Sequence, residues 1–349
     1  MSQVSAYGAV RADAPLQPVK IERRALGADD VEIGITHCGI CHSDLHFARG
    51  EWGEQPAPAV PGHEIVGLVR AVGANVTKHK VGDRVGVGCM VDSCRQCEAC
   101  HEGEEQFCVG QTGTYMSVEK QSGLPTYGGY SKSITVTQDF VLRIPDGLSS
   151  ERAAPLLCAG ITTYSPLRHW NVQAGQKVGV VGLGGLGHMA VKLAKAMDAH
   201  VVVFTTSQSK VADAKALGAD EVVLSKDAAQ MKPHANSFHL IINSVSAAHD
   251  LAQFTKLLRR NGTLCLLGAP PVTESHQWPA VFTMLMGRRS VAGSSIGGIR
   301  ETQEMLDFCA AKGVAPEIEV IAPEGINGAY ERLVKGDVRY RFVIDMARL

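Results

Sequence analysis

The feature that most restricts the fold of this 349-residue chain is a glycine loop at residues 182–187, which fits the pattern G-x-G-x-x-G. An apolar run at residues 178–181 precedes the loop, and a helical pattern follows it. In this setting the first glycine permits a tight turn, the second lets the backbone approach a pyrophosphate, and the third packs the helix against the strand. The N-terminus of the helix then presents its unpaired N–H groups to the phosphates. The loop therefore predicts a dinucleotide site with contacts from Gly182, Gly184, Gly185, Leu186 and Gly187.

The pattern around the loop predicts two domains, which is the default for a chain of this length. Six short apolar runs, beginning at residues 178, 201, 221, 240, 263 and 290, alternate mostly with helical patterns, as in a parallel sheet with helices on both faces. Before residue 155, short alternating runs are separated by Gly and Pro turns, which is typical of a β barrel or sandwich. We therefore predict an α/β chain. Its mostly-β domain comprises residues 1–155 and 297–349, and its doubly wound domain comprises residues 156–296.

Composition restricts the class of function. Lys and Arg number 34 against 35 Asp and Glu, without the basic cluster that nucleic acid or an acidic membrane surface would attract. No apolar run is long enough to span a bilayer, and residues 1–20 lack the apolar segment of a secretory signal. We therefore expect a cytoplasmic protein that binds neither nucleic acid nor a membrane. Its ten cysteines then indicate metal binding rather than disulfides.

Four of the cysteines follow the spacing C-x2-C-x2-C-x7-C in one short segment. They are Cys94, Cys97, Cys100 and Cys108. Four thiolates in a compact loop match a closed, tetrahedral zinc site, which is structural because no coordination position stays open. An iron–sulfur cluster fits the same ligand type, and unrelated buried thiols are the third interpretation. We predict a structural zinc site.

The end of the second strand of the doubly wound domain indicates which dinucleotide binds. An NAD site usually has an acidic residue there, which holds the ribose 2′-hydroxyl. This chain has Thr205, Thr206 and Ser207 instead, with Lys210 soon after and no acid before Asp213. Hydroxyls and a cation can hold a 2′-phosphate, although the same residues could simply cap a helix. We predict NADP(H).

Three residues from separate parts of the chain offer the ligands of a second, catalytic zinc ion. Such an ion takes three protein ligands and leaves one position for water or substrate. Cys41, His63 and Cys158 can supply two thiolates and one imidazole. Each has a simpler interpretation. Cys41 could form a redox C-x-x-C pair with Cys38, His63 could be a surface imidazole, and Cys158 could be a core residue.

Taken together, these motifs resemble the zinc-dependent medium-chain alcohol dehydrogenases. The resemblance is closest to the cinnamyl alcohol dehydrogenase branch, including its bacterial NADP-dependent aldehyde reductases. It runs essentially from end to end. The matching segments are residues 39–44, 62–67, 94–108, 156–167, 182–187, 293–298 and 339–345.

The resemblance implies a GroES-like catalytic domain formed by both termini, with a Rossmann domain inserted into it. It implies that Cys41, His63 and Cys158 hold the catalytic zinc, with Glu64 beside it and able to exchange with the water or substrate position. The four-cysteine loop would hold a structural zinc. Asp44 would orient His63, which is the role that fixes the tautomer of a metal-bound histidine.

The resemblance also implies cofactor contacts outside the glycine loop. His42 would face the pyrophosphate, and the other expected contacts are Thr162, Ser294, Ile296 and Arg341.

The implied reaction is hydride transfer between NADP(H) and a primary alcohol or aldehyde, with zinc as the Lewis acid. Ser43 can receive the proton through its hydroxyl, and His46 can titrate near neutrality, so the two are expected to carry the proton to water. Because the family favours dimers and tetramers, we expect a homodimer or homotetramer.

The resemblance suggests an apolar wall for the substrate pocket, formed by Trp52, Cys89, Tyr115, Phe282, Leu285 and Ile296. Gly113 and Ser295 stand where relatives often carry larger residues. Both differences indicate a roomier pocket, suited to aromatic and medium aliphatic aldehydes.

Three alternatives stay open. A zinc-free quinone reductase would lack both cysteine-containing ligand sets. A zinc-dependent polyol dehydrogenase would often prefer NAD and lack the four-cysteine loop. A non-enzymatic, zinc-stabilised redox-sensing protein would need that loop alone.

Overall fold

The computed structural model describes residues 1–53, 55–268 and 276–349. These residues form two compact units. Unit 1 comprises Met1–Ile161 and Gly297–Leu349, and unit 2 comprises Thr162–Ile296. Among the described residues, no helix has both the length and the apolar character that crossing a membrane requires.

The strands, in chain order, are β1 (Ser2–Gly8), β2 (Gln17–Arg23), β3 (Asp30–Ile40), β4 (Ile65–Val72), β5 (Arg84–Val87), β6 (Met90–Asp92), β7 (Thr112–Gly113), β8 (Ser133–Thr137), β9 (Leu142–Arg143), β10 (Lys177–Val181), β11 (His200–Thr205), β12 (Glu221–Leu224), β13 (Phe238–Asn243), β14 (Leu258–Leu266), β15 (Ser290–Gly293), β16 (Ile318–Ile321) and β17 (Arg341–Asp345). The α-helices are α1 (His42–Ala48), α2 (Glu98–Glu102), α3 (Ser150–Ala153), α4 (Ala159–His169), α5 (Gly187–Ala196), α6 (Val211–Ala216), α7 (Ala228–Met231), α8 (Ala252–Thr255), α9 (Val281–Leu285), α10 (Ile299–Lys312) and α11 (Ile326–Val334).

The main sheet of unit 1 is organised around β3. Its path runs β16-β17-β3-β4-β5-β9, and β8 also pairs with β3. The alternating residues Val31, Ile33 and Ile35 are buried and have the branched side chains that suit a packed sheet. β3 pairs antiparallel with both β4 and β17, with Cys38 opposite Ile65 and Phe342 opposite Ile40. The carboxyl end of β3 therefore lies beside the starts of β4 and β17.

Unit 2 contains a six-stranded sheet of order β12-β11-β10-β13-β14-β15, and all of its pairings are parallel. This confirms the predicted parallel sheet. The strand order reverses direction at β10, so the crevice between β10 and β13, outside the carboxyl ends of the strands, is where such a sheet binds its ligand. The glycine loop begins at this position, directly after β10.

Candidate active site

Four potential metal ligands meet inside unit 1. Ligand atoms of Cys41, His63, Glu64 and Cys158 all lie within 4.8 Å of one another, and the four residues are buried. Cys41 follows β3 directly, and His63 and Glu64 directly precede β4. The antiparallel pairing of these two strands therefore explains why residues about twenty positions apart share one site.

The donor atoms of this cluster fit zinc. Two thiols and an imidazole match a catalytic zinc site, and a carboxylate is a third accepted ligand type. A hydrogen bond from the Cys158 thiol lowers the pKa of Cys41 well below its usual range, in spite of burial. One sulfur therefore already favours the thiolate form, which is the form that binds metal.

Asp44 links the two segments that carry Cys41 and His63. Its carboxylate is fully buried and accepts hydrogen bonds from the backbone N–H groups of Cys41, at 2.8 Å, and Gly62, at 2.9 Å. Tyr130 Oη donates to the same carboxylate over 3.3 Å, and His63 Nδ1 lies 3.2 Å from it. Asp44 thus joins two ligand-bearing segments as well as standing beside the histidine.

Tyr115 contacts the same histidine. Its Oη lies 2.9 Å from His63 Nδ1, and its ring stacks on Phe47 with the centroids 4.5 Å apart. Burial raises the pKa of Tyr115 well above its usual value, so the hydroxyl keeps its proton. We expected Tyr115 to form part of an apolar pocket wall and did not predict this polar contact. The spacing of residues in a sequence does not reveal where a tyrosine hydroxyl points.

Glu64 is paired with an arginine from the far end of the chain. Arg341 begins β17, and its guanidinium donates a hydrogen bond to the Glu64 carboxylate inside the protein. Burial raises the pKa of Glu64, and the Arg341 charge opposes that effect. The pairing of β17 with β3 brings Arg341 to this site. Its predicted contact with the cofactor stays a prediction.

The polar residues after Cys41 lie on the short helix α1. Ser43 Oγ is 3.7 Å from Cys41 Sγ. His46 Nδ1 is hydrogen-bonded to the carboxylate of Glu51, and its ring lies 5.1 Å from that of Trp52. Glu51 was not among the predicted site residues. The only sequence signal for it is an acidic residue five positions after a histidine near the end of a helix. His42 is exposed on the same helix.

The four-cysteine loop brings its sulfurs to metal-binding distance. The ligand atoms of Cys94, Cys97, Cys100 and Cys108 all lie within 4.8 Å of one another. The Sγ atom of Cys100 is 3.9 Å from that of Cys94 and 3.5 Å from that of Cys97. Tetrahedral zinc with bonds of about 2.3 Å requires sulfurs about 3.8 Å apart. The loop therefore fits a zinc ion.

Backbone N–H groups surround these sulfurs. Gln96 N donates to Cys94 Sγ over 3.4 Å and, with hydrogen bonds from Cys108 and Cys97, lowers the pKa of Cys94 to about 6. Gly110 N donates to Cys108 Sγ over 3.3 Å. Such donors stabilise thiolates, which supports the predicted structural site.

A cavity of about 360 Å³ in unit 2 lies at the glycine loop. The described residues that line it are Val181, Gly182, Leu183, Gly184, Phe204, Thr205, Thr206, Ser207, Lys210, Ser225, Ser244, Val245, His249, Gln253 and Phe254. None of them is acidic. A Cβ added at Gly187 would collide with the carbonyl oxygen of Gly182, which explains the third glycine of the motif.

Comparison with known families and structures agrees with this architecture. Residues 27–146 match the family described as alcohol dehydrogenase GroES-like domain, and residues 185–311 match the family described as zinc-binding dehydrogenase. Over 344 residues the chain is 57% identical to the aldehyde reductase YahK of Escherichia coli K12, with 98% of each chain covered. The chain belongs to the zinc-dependent medium-chain alcohol dehydrogenase family.

Two solved structures of alcohol dehydrogenases extend the likeness to three dimensions. A cinnamyl alcohol dehydrogenase of Sorghum bicolor is 45% identical with a TM-score of 0.95, covering 99% of this chain and 98% of that one. The CAD of Helicobacter pylori, solved in complex with NADP(H), is 43% identical with a TM-score of 0.93, covering 99% of both chains. The predicted family and fold class are confirmed, and the non-enzymatic alternative is set aside.

Several predicted contacts of this alcohol dehydrogenase stay predictions. Thr162 is buried, and Ser294 and Ile296 are half-buried. Gly113 has a local reason to be glycine, because a Cβ there would approach the carbonyl oxygen of Tyr115 to 2.8 Å. The lack of a side chain at Gly113 is therefore explained by the local backbone, without reference to a substrate.

Proposed function

We propose that this chain is an NADP(H)-dependent zinc enzyme that interconverts primary alcohols and aldehydes. The observation that carries the proposal is the buried cluster of Cys41, His63, Glu64 and Cys158, in a chain that also carries a glycine-loop cavity. Two thiolates and one imidazole leave a position free for a substrate oxygen, which a closed four-cysteine site does not.

The preference for NADP(H) is supported by the cavity in unit 2. Thr205, Thr206 and Ser207 offer hydroxyls and Lys210 offers a cation, and among the lining residues that the structure describes no carboxylate would repel a 2′-phosphate. The H. pylori relative was solved with NADP(H). The 2′-phosphate would therefore lie near the ends of β11 and the following turn.

The two bound groups would supply the reactive chemistry. Cys41, His63 and Cys158 would hold a zinc ion that would supply Lewis acidity toward a carbonyl, and the glycine-loop cavity would hold NADP(H), which would supply or accept the hydride. Asp44 holds the Cys41 and Gly62 backbone in place, and Arg341 donates a hydrogen bond to Glu64 and holds it beside the cluster.

We assign proton transfer to side chains on α1 and directly after it. The Ser43 hydroxyl lies beside the ligand cluster, at 3.7 Å from Cys41 Sγ. His46 Nδ1 is hydrogen-bonded to the carboxylate of Glu51, which fixes the orientation of the imidazole. We propose that Ser43 and His46 carry the proton and that Glu51 assists His46.

The substrate class is proposed as aromatic and medium aliphatic aldehydes. The relatives of known structure include a cinnamyl alcohol dehydrogenase, and the E. coli relative is an aldehyde reductase. A broad rather than strict aldehyde preference agrees with the small residue Ser295.

A homodimer is proposed from an exposed edge in unit 2. Among the described residues, β15 ends the sheet and pairs with β14 alone. The nearby helix α9 and its flanks expose large apolar side chains, with Phe282 76% and Met286 82% exposed. A strand edge flanked by such a surface favours pairing with a second copy, and a tetramer would need a further interface. Light scattering of a Phe282→Lys variant tests this, because the variant should shift toward monomer.

A cytoplasmic location is proposed because none of the ten cysteines, all within the described residues, forms a disulfide bond. That pattern suits a reducing compartment.

The reaction is tested by NADPH oxidation with a panel of aldehydes, including benzaldehyde, cinnamaldehyde, hexanal and a ketose, with NADH as the control. We expect aldehyde-dependent oxidation of NADPH that exceeds oxidation of NADH. Turnover of the ketose with NADH alone would instead identify a polyol dehydrogenase.

A further inference from the structure

We propose that Asn243 and His249 are positioning residues for the cofactor: their side chains form one clamp that holds the loop at residues 244–248 against the glycine loop. The inference rests on the proposed function, because it takes the cavity in unit 2 as the site of NADP(H). The loop follows β13 directly, and its residues Ser244 and Val245 line that cavity. The clamp therefore acts on a wall of the cofactor site.

The loop at residues 244–248 is in contact with the backbone around the glycine loop. Ser244 Oγ donates a hydrogen bond to the carbonyl oxygen of Val181 over 2.8 Å. A Cβ added at Gly182 would approach Val245 Cγ2 to 2.8 Å, so the two segments are closely packed. Because packed segments transmit displacements, a shift of this loop would change the shape of the cavity beside Gly182.

The backbone fixes which way the Asn243 amide faces. Asn243 ends β13 and is 1% exposed. The backbone N–H of Val245, which can only donate, lies 3.2 Å from Asn243 Oδ1. The amide nitrogen Nδ2 therefore faces the other way, where it lies 3.0 Å from His249 Nε2.

The amide in turn fixes the tautomer of His249. Because Asn243 Nδ2 can only donate, His249 Nε2 accepts and Nδ1 carries the ring hydrogen. Nδ1 lies 2.8 Å from the carbonyl oxygen of Ala247, which can only accept. Every group from the Val245 N–H to the Ala247 carbonyl thus has the partner that it requires. The two side chains bond to the loop near its beginning and near its end.

Two aromatic rings pack edge to face against His249. The centroid of its ring lies 4.8 Å from that of His276 and 6.0 Å from that of Phe254, with interplanar angles of 77° and 78°. Phe254 is buried and lines the same cavity. The imidazole is therefore packed as well as hydrogen-bonded, which keeps it in one orientation.

The clamp should affect the adenosine half of the cofactor. Thr206 and Lys210, where we place the 2′-phosphate, line the same cavity as the clamped loop. Hydride transfer takes place on the nicotinamide, at the other end of the cofactor. Loss of the clamp should therefore weaken cofactor binding and leave kcat at saturating NADPH near its wild-type value.

Asn243→Ala and His249→Ala each remove one half of the clamp. His249 lines the cavity itself, whereas Asn243 is absent from the described residues that line it. The Asn243 variant therefore separates positioning from direct contact with the cofactor. Ser237→Ala is the control, because it removes a side-chain hydrogen bond, to His234 O at 2.7 Å, next to the opposite end of β13.

Calorimetry of the zinc-loaded proteins measures the Kd of adenosine 2′,5′-bisphosphate, which corresponds to the adenosine half of NADP(H). We expect each single variant to raise this Kd about 10-fold, on the scale of one or two lost hydrogen bonds. Ser237→Ala should match wild type. The double variant Asn243→Ala/His249→Ala should also bind about 10-fold more weakly than wild type, because residues that act as one unit are not additive. Steady-state kinetics should show an unchanged kcat at saturating NADPH in every variant.

An additive loss of about 100-fold in the double variant would show that His249 acts by direct contact with the cofactor, and it would overturn the clamp. An unchanged Kd in Asn243→Ala would overturn it as well. If Asn243→Ala does not fold, His249→Gln decides the question. Its amide can still accept from Asn243 Nδ2 and should recover part of the affinity lost in His249→Ala, so equal Kd values in these two variants would overturn the clamp. Failure of wild type to bind adenosine 2′,5′-bisphosphate would instead overturn the proposed cofactor.

Discussion

Lys210 donates a hydrogen bond from Nζ to the carbonyl oxygen of Leu183 over 3.1 Å and so holds a cation beside the glycine loop. Both residues line the same cavity as Thr205, Thr206 and Ser207. We propose this arrangement as the site for the phosphate on the ribose, and the proposal leads to the first prediction.

Thr206→Asp should shift the cofactor preference toward NADH. Thr206 is exposed at the cavity, and a carboxylate there would repel the 2′-phosphate while accepting ribose hydroxyls. Because a like-charge contact costs several kcal/mol, the ratio of kcat/KM for NADPH over NADH should fall about 100-fold. Steady-state kinetics with both cofactors measure it. Thr206→Val, which adds no charge, is the control, and an unchanged ratio in the Asp variant would refute the assignment.

Ser43→Ala should lower kcat about 100-fold if its hydroxyl carries the proton, because positioned acid–base groups contribute at least that much. Zinc content should not change, since Ser43 is not a predicted ligand. Ser43→Thr keeps the hydroxyl and should stay near the wild-type rate. Equal kcat values in all three proteins would show that the proton leaves by another route.

Arg23→Met should destabilise the protein. Arg23 is 3% exposed, and its guanidinium donates to the backbone carbonyls of Ser133, Tyr127 and Gly128 at 3.0, 2.7 and 3.0 Å. Removing it takes a charged donor from all three carbonyls and leaves only Ser131 Oγ within reach of those of Gly128 and Ser133, which costs about 3 kcal/mol and lowers Tm by about 5–10 °C. Thermal unfolding of the zinc-loaded protein measures the change. The exposed Arg11→Met is the control, and equal Tm values for the two variants would contradict the expectation.

The stability of unit 2 should depend on His234 in mild acid. His234 is buried, and its Nδ1 lies 3.0 Å from Lys177 Nζ. Burial, followed by the Lys177 charge, lowers the pKa of His234 below its ordinary 6.5. The unfolded state therefore takes up the proton first, so this residue destabilises the fold progressively as pH falls below about 6.5. Above that pH it has no such effect.

The measurement is Tm between pH 7.5 and 5 for wild type and His234→Gln, both loaded with zinc. Wild type should lose more than the variant over this interval. Zinc release in acid affects both proteins alike, so the difference between the curves isolates His234. Parallel curves would exclude its contribution.

Much of the fold could be predicted because its signals are local. The glycine loop, the run before it and the helix after it fall within about twenty residues, and the structure has β10, the loop and α5 there. The six apolar runs became the six strands of one parallel sheet. Period and turn residues are sufficient for such assignments.

The candidate active site was harder to predict from the sequence than the fold, because it depends on the pairing of strands that lie far apart in the chain. Nothing local indicates that Cys38 lies opposite Ile65, which brings Cys41 near His63, so the ligand set came from a family resemblance. The contacts of Tyr115 with His63 and of Arg341 with Glu64 depend on side-chain directions and on strands far apart in the chain. Pattern alone does not contain that information.

The most direct test of the zinc centre is the metal content of Cys158→Ser, measured by inductively coupled plasma spectrometry beside wild type. Cys265→Ser, which alters a buried thiol outside both clusters, is the matched control. We expect two zinc ions per chain in wild type and Cys265→Ser. Cys158→Ser should hold one zinc ion and lose nearly all NADPH-dependent aldehyde reduction while it stays folded. Two zinc ions with normal turnover in Cys158→Ser would contradict the account.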